Sequence, residues 1–434
     1  MRMQAETATL TSRLEALARR TDPLLPANLA EPDRAMLRDI TVFAVVLCAG
    51  TLLAYLATIS WRMPFPRDGT TLVVGRDFLH FWLYGQAAVS SDPSRFYDQA
   101  AFNGYLSTLL GPGYPGQTWS YPPSVMFFAA PFGQIGYFPA LLLWTAAGVT
   151  LFWHVASRYA HSLELDGKLL IPVLISPAAV FCVMSGQASF FSASLLVGAF
   201  LCLDRRPLIA GVLIGLLTIK PQLGLLFPVM LIASGRWRVF WAAAVTAVVL
   251  AGGAGLVFGP QTWVEYFNKS LPVQNAVMAD PVLITTPFMP TVFMNIRGLN
   301  APYGVAMAAQ ALVLIVALAV VAYAFHRHRN APPYILFALF LVCSASFSPY
   351  LLSYDLLPAT LAAIVLLAAG GLDPLGRRLA QLLYWTPVLQ LGLGTFHIPG
   401  PGLIAPAMMV YLLLSLRHAE PAGSPRPIRA SAAG

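Results

Sequence analysis

Charged side chains are scarce in this sequence, and that scarcity excludes most soluble folds. Of 434 residues, 10% are charged and 58% are hydrophobic, and the mean hydropathy is +0.69. Soluble globular domains carry about 25% charged residues. We therefore predict an all-α integral membrane protein, because helices satisfy their backbone hydrogen bonds internally in lipid.

Cysteine is scarce as well, and its positions exclude a disulfide framework. The chain has four cysteines, and all of them lie inside apolar runs: Cys48, Cys182, Cys202 and Cys343. Neither paired bridges nor a metal cluster of the CxxC type is expected there. No His, Cys or Asp spacing has metal-site quality. We expect no required cofactor; a divalent metal is optional and is not indicated by the sequence.

Nucleotide-binding loops are missing too. No Walker-type loop occurs, and no GxGxxG follows a predicted strand. These absences exclude a cytosolic domain that is driven by nucleotide hydrolysis. The formal charge is +8, but the basic residues stand at the ends of apolar runs instead of on one face, so nucleic acid is not an expected partner. No internal repeat of the kind found in many transporters is visible.

Long apolar runs dominate what is present. They recur from Ile40 almost to Arg417, and at about 20 residues per span they allow about 12 transmembrane helices. The predicted organisation has these parts: a cytoplasmic arm at 1–38, a polytopic membrane domain at 39–416, outer loops within it at 62–120 and 259–300, and a disordered cytoplasmic tail at 417–434.

Arginine clusters orient the chain, because basic residues favour cytoplasmic loops. The clusters that we assign to the cytoplasm are Arg13, Arg19, Arg20, Arg34 and Arg38, then Arg236 and Arg238, Arg327 and Arg329, Arg377 and Arg378, and Arg417. Both termini are then cytoplasmic, and the two loops face outward. We expect the polar residues of these loops to lie on the outer side of the membrane.

The central region leaves two topologies open. Six apolar segments lie between the first outer loop and Arg236. Because the loop is outside and Arg236 is cytoplasmic, the chain between them must cross the membrane an odd number of times. Either 122–135 is re-entrant, or 208–235 is one span broken at Lys220-Pro221. The first alternative places Arg205 and Arg206 inside, and the second places them outside, against the charge rule.

The loop 62–120 reads as amphipathic helices in the outer interface. Aromatic residues alternate with charges at helical spacing in GRDFLHFWLYGQ, as interfacial helices do. Asp77 stands at the start of this segment. It is either a site carboxylate or an acidic residue that complements a helix dipole.

Four further polar groups stand in or beside apolar runs. Lys220 is costly there unless it functions or reaches the interface. Gln187, in SGQASFF, either contacts a substrate or caps a helix. Asp355, in SPYLLSYD, needs a partner or water. Arg297, in the loop 259–300, offers a bidentate fork to a phosphate, although it could equally bind lipid phosphate nonspecifically.

The order of these motifs resembles a known family. GRDFLHFW is followed by Phe96-Tyr97-Asp98, by Tyr121-Pro122-Pro123, by Gly186-Gln187, by LDRRPLIAGVLIGLLTIKPQLGLLFPVML, by Arg236-Trp237-Arg238 and by SPYLLSYDLL. The chain resembles bacterial glycosyltransferase family 87, within the polyprenyl-phosphate-dependent GT-C superfamily. The resemblance runs from about residue 40 to 416.

The resemblance implies a GT-C fold whose active site opens to the outer face. It implies a polyprenyl-phospho-sugar donor, a hexose such as mannose, and a lipid or glycan acceptor. The acidic residue of the first outer loop is the general base in such enzymes, and Asp77 matches it. The well-known members carry a histidine in a later outer loop, where this chain has SPYLLSYD instead.

From this resemblance we expect specific roles. Asp77 takes a proton from the acceptor hydroxyl, and the sugar is transferred with inversion. The cationic side chain that stabilises the negative charge of the leaving phosphate is Arg76, Lys220 or Arg297. The residues predicted to contact substrate are His80, Tyr121, Gln187, Tyr354 and Asp355.

Two other classes of function fit the composition. A transporter or lipid flippase would spread its charges through both leaflets, whereas here the candidates gather toward one side. A noncatalytic envelope-assembly scaffold would follow if Asp77 served only as a helix cap.

Overall fold

The protein is described by a computed structural model that covers residues 16, 19–26, 29–63, 65–279 and 286–418. It is all-helical, with 75% helix, and the described residues form no strand. The predicted all-α class is thus confirmed. Most of the predicted tail at 417–434 and much of the arm at 1–38 lie outside the described residues.

The helices are numbered here in chain order. They are α1 Glu31–Ala57, α2 Phe78–Ala87, α3 Gln99–Leu110, α4 Val125–Gly133, α5 Tyr137–Ser162, α6 Leu170–Leu174, α7 Pro177–Ser185, α8 Ser189–Cys202, α9 Pro207–Leu216, α10 Pro221–Gly224, α11 Phe227–Ala233, α12 Trp237–Val257, α13 Gln261–Glu265, α14 Leu271–Ala279, α15 Val292–Arg297, α16 Tyr303–Arg327, α17 Pro333–Phe347, α18 Leu357–Ala369, α19 Pro374–Thr395 and α20 Ile404–His418.

Four of these helices are long and apolar enough to cross a membrane: α1, α5, α12 and α16. A fifth crossing is added if α6 and α7, which meet at a bend of 59°, count as one span. Six shorter apolar helical segments have 10–17 residues. Helix length and composition therefore support a membrane protein but do not confirm the predicted count of about 12 spans.

Helix α1 begins inside the predicted arm and reaches the region of the first outer loop. It starts at Glu31 with Pro32 in its first turn, where proline is tolerated because its missing N–H has no helical partner. At its other end the Tyr55 hydroxyl donates to the Met184 carbonyl at 3.2 Å and accepts from the Gly75 N–H at 3.2 Å. One tyrosine thus ties α1 to two segments beside Asp77.

Helices α9 and α12 pack side by side and run parallel. A side chain on Gly211 would collide with Val239 and Ala242, and one on Gly215 would collide with Ala243 and Thr246. Small residues four apart allow such close backbone approach. Because both contacts advance in the same direction along the two helices, the N-termini of α9 and α12 lie at the same end of the bundle.

This parallel packing decides how 208–235 runs. The chain leaves α9 at one end and must return through α10 and α11 before α12 starts. The Arg236 side chain also forms an ion pair with Asp204 at 2.6 Å, so the residues just before α9 and α12 share one end. Lys220 lies at the turn, at the opposite end. The segment is a hairpin and not one broken span.

Helix α4 spans about 14 Å at 1.5 Å per residue, less than the roughly 30 Å of a hydrocarbon core. Before it, the Tyr121 backbone accepts a hydrogen bond from the Tyr84 hydroxyl at 2.9 Å. After it, the Tyr137 hydroxyl donates to the Val74 carbonyl at 2.7 Å. The segments before and after α4 are therefore both held by the chain around α2, which agrees with the re-entrant alternative for 122–135.

Candidate active site

A cavity of about 730 Å³ lies at the end of the bundle where α7 and α9 stop. Seven of the nine predicted site residues line it, and they come from five separate parts of the chain: Asp77, His80, Tyr121, Gln187, Lys220, Tyr354 and Asp355. The same wall contains polar residues that sequence reasoning did not select, among them Gln117, Gln222, Gln274 and Asn275.

Interruptions of helices place these side chains. Helix α7 ends at Gly186, whose φ of 59° is left-handed and suits glycine. A Cβ on Gly186 would lie 2.5 Å from the Phe78 Cβ and 3.0 Å from the Gly75 carbonyl. The absent side chain thus allows Gln187 to approach the start of α2, where Asp77 stands.

The Asp77 side chain does not cap helix α2. Asp77 holds the N-cap position, but its side chain makes no capping hydrogen bond. Oδ2 instead accepts from the Gln187 Nε2 at 3.1 Å. Asp98 shows the contrast, because its carboxylate accepts from Ala100 and Ala101 at the start of α3. The cap interpretation of Asp77 therefore has no hydrogen bond to support it.

Gln187 connects three other side chains of the cavity. Its Nε2 also donates to the Tyr354 hydroxyl at 3.0 Å. Its Oε1 accepts from the Tyr121 hydroxyl at 3.0 Å and from the Ala188 N–H at 2.8 Å. Residues separated by 167 positions in the chain thus meet through one amide.

Lys220 and Asp355 form a buried ion pair. The Lys220 Nζ lies 2.8 Å from the Asp355 Oδ1, and the side chains are 4% and 3% exposed. The Ser189 hydroxyl donates to the same Oδ1 at 2.7 Å. The ammonium also lies 5.3 Å from the centre of the Tyr354 ring, within range of a cation–π contact. Sequence reasoning selected both charges but did not pair them.

His80 stands one turn after Asp77 and lies half-buried in the cavity wall. Burial lowers the pKa of its imidazole below the ordinary value of 6.5, and the charge of Asp77 opposes that shift in part. The Nε2 atom is buried without a hydrogen-bond partner in the described chain. His80 therefore offers a neutral ring to the cavity.

An aromatic cluster holds the segment that carries Tyr121. The Tyr121 carbonyl accepts from the hydroxyls of Tyr84 at 2.9 Å and Tyr97 at 3.0 Å. The rings of Tyr84 and Trp119 stack with centroids 3.7 Å apart. The buried face of the predicted interfacial helices thus fixes one wall of the cavity.

Two predicted phosphate ligands do not line the cavity. The Arg76 Nε pairs with Asp68 Oδ2 at 2.7 Å. The Arg297 guanidinium donates to the carbonyls of Ala301 at 2.7 Å and Ala279 at 3.1 Å. Arg76 thus binds a side chain and Arg297 binds backbone carbonyls, both outside the cavity. Among the described residues that line the cavity, Lys220 is then the one lysine or arginine.

The arrangement combines one carboxylate that forms no ion pair with any described residue, one buried ion pair, and several hydroxyl and amide groups. Such a set can bind a sugar and accept a proton from it. Among the described residues, no group of three or more His, Cys, Asp or Glu side chains could hold a metal ion.

Comparison with known proteins gives one match. No curated protein and no solved structure matches the chain. The family model of glycosyltransferase family 87 matches residues 119–352, more than half of the chain. The matched range contains Tyr121, Gln187 and Lys220, while Asp77 precedes it and Asp355 follows it closely. The family predicted from the sequence is confirmed: the chain belongs to glycosyltransferase family 87.

Proposed function

We propose that this membrane glycosyltransferase transfers a sugar from a polyprenyl-phosphate-linked donor to a lipid or glycan acceptor, within the cavity around Asp77. The sugar is a hexose such as mannose. Family membership supports glycosyl transfer, and the location of the cavity where helices end suits a substrate whose lipid remains in the bilayer. No nucleotide is needed, because the lipid phosphate is itself the leaving group.

The observation that carries the proposal is the unequal state of the two cavity carboxylates. Asp355 is neutralised by Lys220 at 2.8 Å. Asp77 has no cation partner among the described ion pairs and receives a hydrogen bond from Gln187 on Oδ2 only. Its Oδ1 is therefore the oxygen suited to accept a proton from an acceptor hydroxyl.

The chemistry then follows in one displacement. Asp77 Oδ1 takes the proton of the acceptor hydroxyl while that oxygen bonds to the anomeric carbon. The bond between the anomeric carbon and the phosphate oxygen breaks, and its electron pair leaves with the lipid phosphate, so the anomeric centre is inverted. General-base assistance of this kind contributes about 10²- to 10⁴-fold to the rate.

Lys220 is the proposed contact for the leaving phosphate. One of its protons is directed at Asp355, so Asp355 fixes the ammonium in place and also reduces its net attraction for an anion. Preorganised charge of this kind stabilises the transition state without reorganisation during the reaction. Arg76 and Arg297 have no part in this proposal, because their side chains bind loop atoms.

The proposed location is the bacterial inner membrane, with both termini cytoplasmic and the cavity facing the periplasm or exterior. We also propose that α19 and the shorter apolar helices cross the bilayer, which brings the count to about 12 crossings. Arg206 and Arg238 share the end opposite to the cavity, as the preference of basic residues for the cytoplasm requires.

The test is sugar transfer by purified protein in lipid. Radiolabelled polyprenyl-phospho-sugars are supplied with membrane lipid acceptors, and Asp77→Asn is compared with Asp98→Asn. We expect the first variant to lose about 10²- to 10⁴-fold in rate. The second keeps the wild-type rate, because asparagine caps a helix as well as aspartate does.

Three results would overturn the proposal. Transfer by Asp77→Asn at the wild-type rate removes the assigned base. A wild-type protein that moves the intact lipid-linked sugar across vesicles without transferring it is a flippase instead, and one that does neither supports the scaffold alternative.

A further inference from the structure

We infer that Gln187 is the positioning residue of this site: its amide orients Asp77 and leaves the Tyr354 hydroxyl as a donor toward the substrate phosphate. The inference rests on the proposed function, and it assigns one part of the cavity to the acceptor hydroxyl and another part to the donor phosphate.

The backbone fixes which way the Gln187 amide points. The Ala188 N–H lies 2.8 Å from Oε1, and an N–H cannot accept a hydrogen bond. The amide oxygen must therefore face Ala188, and the opposite amide orientation would place two donors against each other. Nε2 then faces Asp77 and Tyr354.

The amide has no capacity left for a substrate. A primary amide has two N–H donors and two acceptor lone pairs. The donors go to Asp77 Oδ2 at 3.1 Å and to the Tyr354 hydroxyl at 3.0 Å. The acceptor positions are used by Ala188 and by the Tyr121 hydroxyl at 3.0 Å. Gln187 thus acts through its neighbours.

The two tyrosines are consequently left with opposite roles. The Tyr121 hydroxyl donates its hydrogen bond to Gln187. Toward the cavity, this hydroxyl can therefore only accept a hydrogen bond. The Tyr354 hydroxyl oxygen accepts a hydrogen bond from Gln187, and among the described hydrogen bonds its own O–H has no acceptor. Tyr354 therefore presents a free O–H to the cavity, beside the Lys220 ammonium at 5.3 Å from its ring.

This division matches the charges of the proposed reactants. An anionic phosphate oxygen requires donors, which are the Tyr354 hydroxyl and the Lys220 ammonium. An acceptor hydroxyl requires an acceptor for its proton, which is Asp77 Oδ1. Gln187 lies between the two subsites, because its two N–H groups donate to Asp77 and to Tyr354.

The titratable neighbours of Asp77 include one group that responds near neutral pH. The side chains electrostatically coupled to Asp77 are His80, Tyr114, Tyr121, Tyr137, Tyr350 and Tyr354. Burial raises the pKa of Tyr350 to about 12. His80 alone of this set titrates below pH 7, so measurements are repeated in a His80→Gln background.

The experiment is the pH dependence of sugar transfer by Gln187→Met, Gln187→Glu and the control Gln222→Met, which changes another amide of the same cavity. Loss of one hydrogen bond to a charged carboxylate is expected to move the acid limb of kcat/KM upward by about one pH unit in Gln187→Met. Gln187→Glu retains acceptors for Tyr121 and Ala188, and its like charge moves the limb further. Gln222→Met leaves the limb unchanged.

Tyr354→Phe tests the phosphate subsite. Removing one preorganised donor from the leaving group is expected to lower kcat on the order of 10²-fold, whereas the acid limb stays at its wild-type pH. Tyr121→Phe removes a donor to Gln187 and leaves the Tyr354 proton free, so its effect on kcat is smaller.

The outcomes separate this inference from the proposed function. If wild-type protein transfers sugar and both Gln187 variants keep the wild-type acid limb, the positioning role is refuted while the function stands. If wild-type protein transfers nothing, the proposed function fails first. Should Gln187→Met not fold, the isosteric Gln187→Glu alone decides the question.

Discussion

The Lys220 ammonium lies 2.8 Å from the Asp355 carboxylate, and both side chains are almost completely buried. Lys220 stands where the hairpin formed by α9, α10 and α11 turns back. Asp355 stands in a 3₁₀ turn, Ser353–Leu356, before α18. The pair therefore joins the hairpin to the segment before α18 at the cavity and adds no net charge there.

Breaking this pair should destabilise the protein. Asp355→Asn leaves a buried ammonium without its counter-ion, and the expected loss is about 3–5 kcal/mol. Replacing both partners, as in Lys220→Met with Asp355→Leu, should recover most of the stability but not the activity. Thermal or chemical unfolding in detergent micelles measures both changes.

The control for that pair is Lys269→Met. Lys269 contacts Asp98 at 3.3 Å and Glu265 at 2.8 Å, but its side chain is 45% exposed. Exposed ion pairs contribute little, so the melting temperature should stay at the wild-type value. An equal loss in Lys269→Met and Asp355→Asn would contradict the argument from burial.

A glycine contact controls how α2 is held. A Cβ on Gly85 would collide with the Ala129 carbonyl and with the backbone of Gly133. Gly85→Ala must therefore push α4 away from α2, and overpacking of this kind costs about 1–3 kcal/mol. Because Asp77 stands at the start of α2, transfer activity should fall together with the melting temperature.

Gly104→Ala is the matched substitution. Gly104 lies inside α3, and a Cβ there meets no atom within 4 Å. Alanine in a helix interior is favoured over glycine by roughly 0.5–1 kcal/mol, so this variant should be slightly more stable and fully active. Destabilisation of both variants alike would show that the contact between Gly85 and Gly133 is not the cause.

The parallel packing of α9 and α12 predicts a labelling pattern. In a protein whose four cysteines are replaced, Arg206→Cys and Arg238→Cys should react with a membrane-impermeant thiol reagent from the same side of sealed vesicles. Ser91→Cys, in the segment between α2 and α3, should react from the other side. Labelling of positions 206 and 238 from opposite sides would exclude the hairpin.

The stability of the protein should depend on His80 at mildly acidic pH. Burial holds the pKa of His80 below 6.5, so the unfolded chain binds the proton more readily than the folded one. The stability that neutral His80 contributes is complete above about pH 6.5 and is lost as the pH falls toward the lowered native pKa.

His80→Gln should remove that part of the pH dependence. The slope of unfolding free energy against pH below 6.5 should decrease by at most about 1.4 kcal/mol per pH unit, the limit for one proton. Unfolding midpoints of both proteins between pH 4.5 and 7.5 measure the difference. Parallel curves would mean that His80 protonates equally in both states.

Much of the site could be predicted from the sequence because polar residues are so few in apolar runs. Asp77, Gln187, Lys220 and Asp355 stood out for that reason, and the structure brings them to one cavity. Their mutual contacts could not be predicted. Asp355 contacts Lys220 across 135 positions, and periodicity carries no information about which helix ends meet.

Arg76 and Arg297 show the opposite case. Both were selected because a guanidinium suits a phosphate. Arg76 instead finds Asp68, eight residues earlier, and Arg297 satisfies nearby carbonyls. Such contacts depend on the local conformation of the loop. The hydropathy pattern does not predict a positive backbone dihedral such as the φ of 24° at Arg76.

The fold class followed from composition, whereas the path of individual helices did not. The apolar run 169–185 reads as one span, yet the chain bends by 59° between α6 and α7, where Ser176 caps the next helix and Pro177 starts it. The contacts of Gly211 and Gly215 with α12 distinguish the two central topologies. Their spacing in the sequence indicates close helix packing, but it does not show which helix packs there.

The distance in sequence between Lys220 and Asp355 also has a consequence during synthesis. Lys220 leaves the ribosome 135 residues before its counter-ion, and at about 5–20 residues per second the delay is roughly 7–27 s. Throughout that interval Asp355 has not been made, so Lys220 lacks the counter-ion that it has in the folded protein. A buried ammonium without a counter-ion is costly, so burial of Lys220 becomes favourable only once Asp355 has been made.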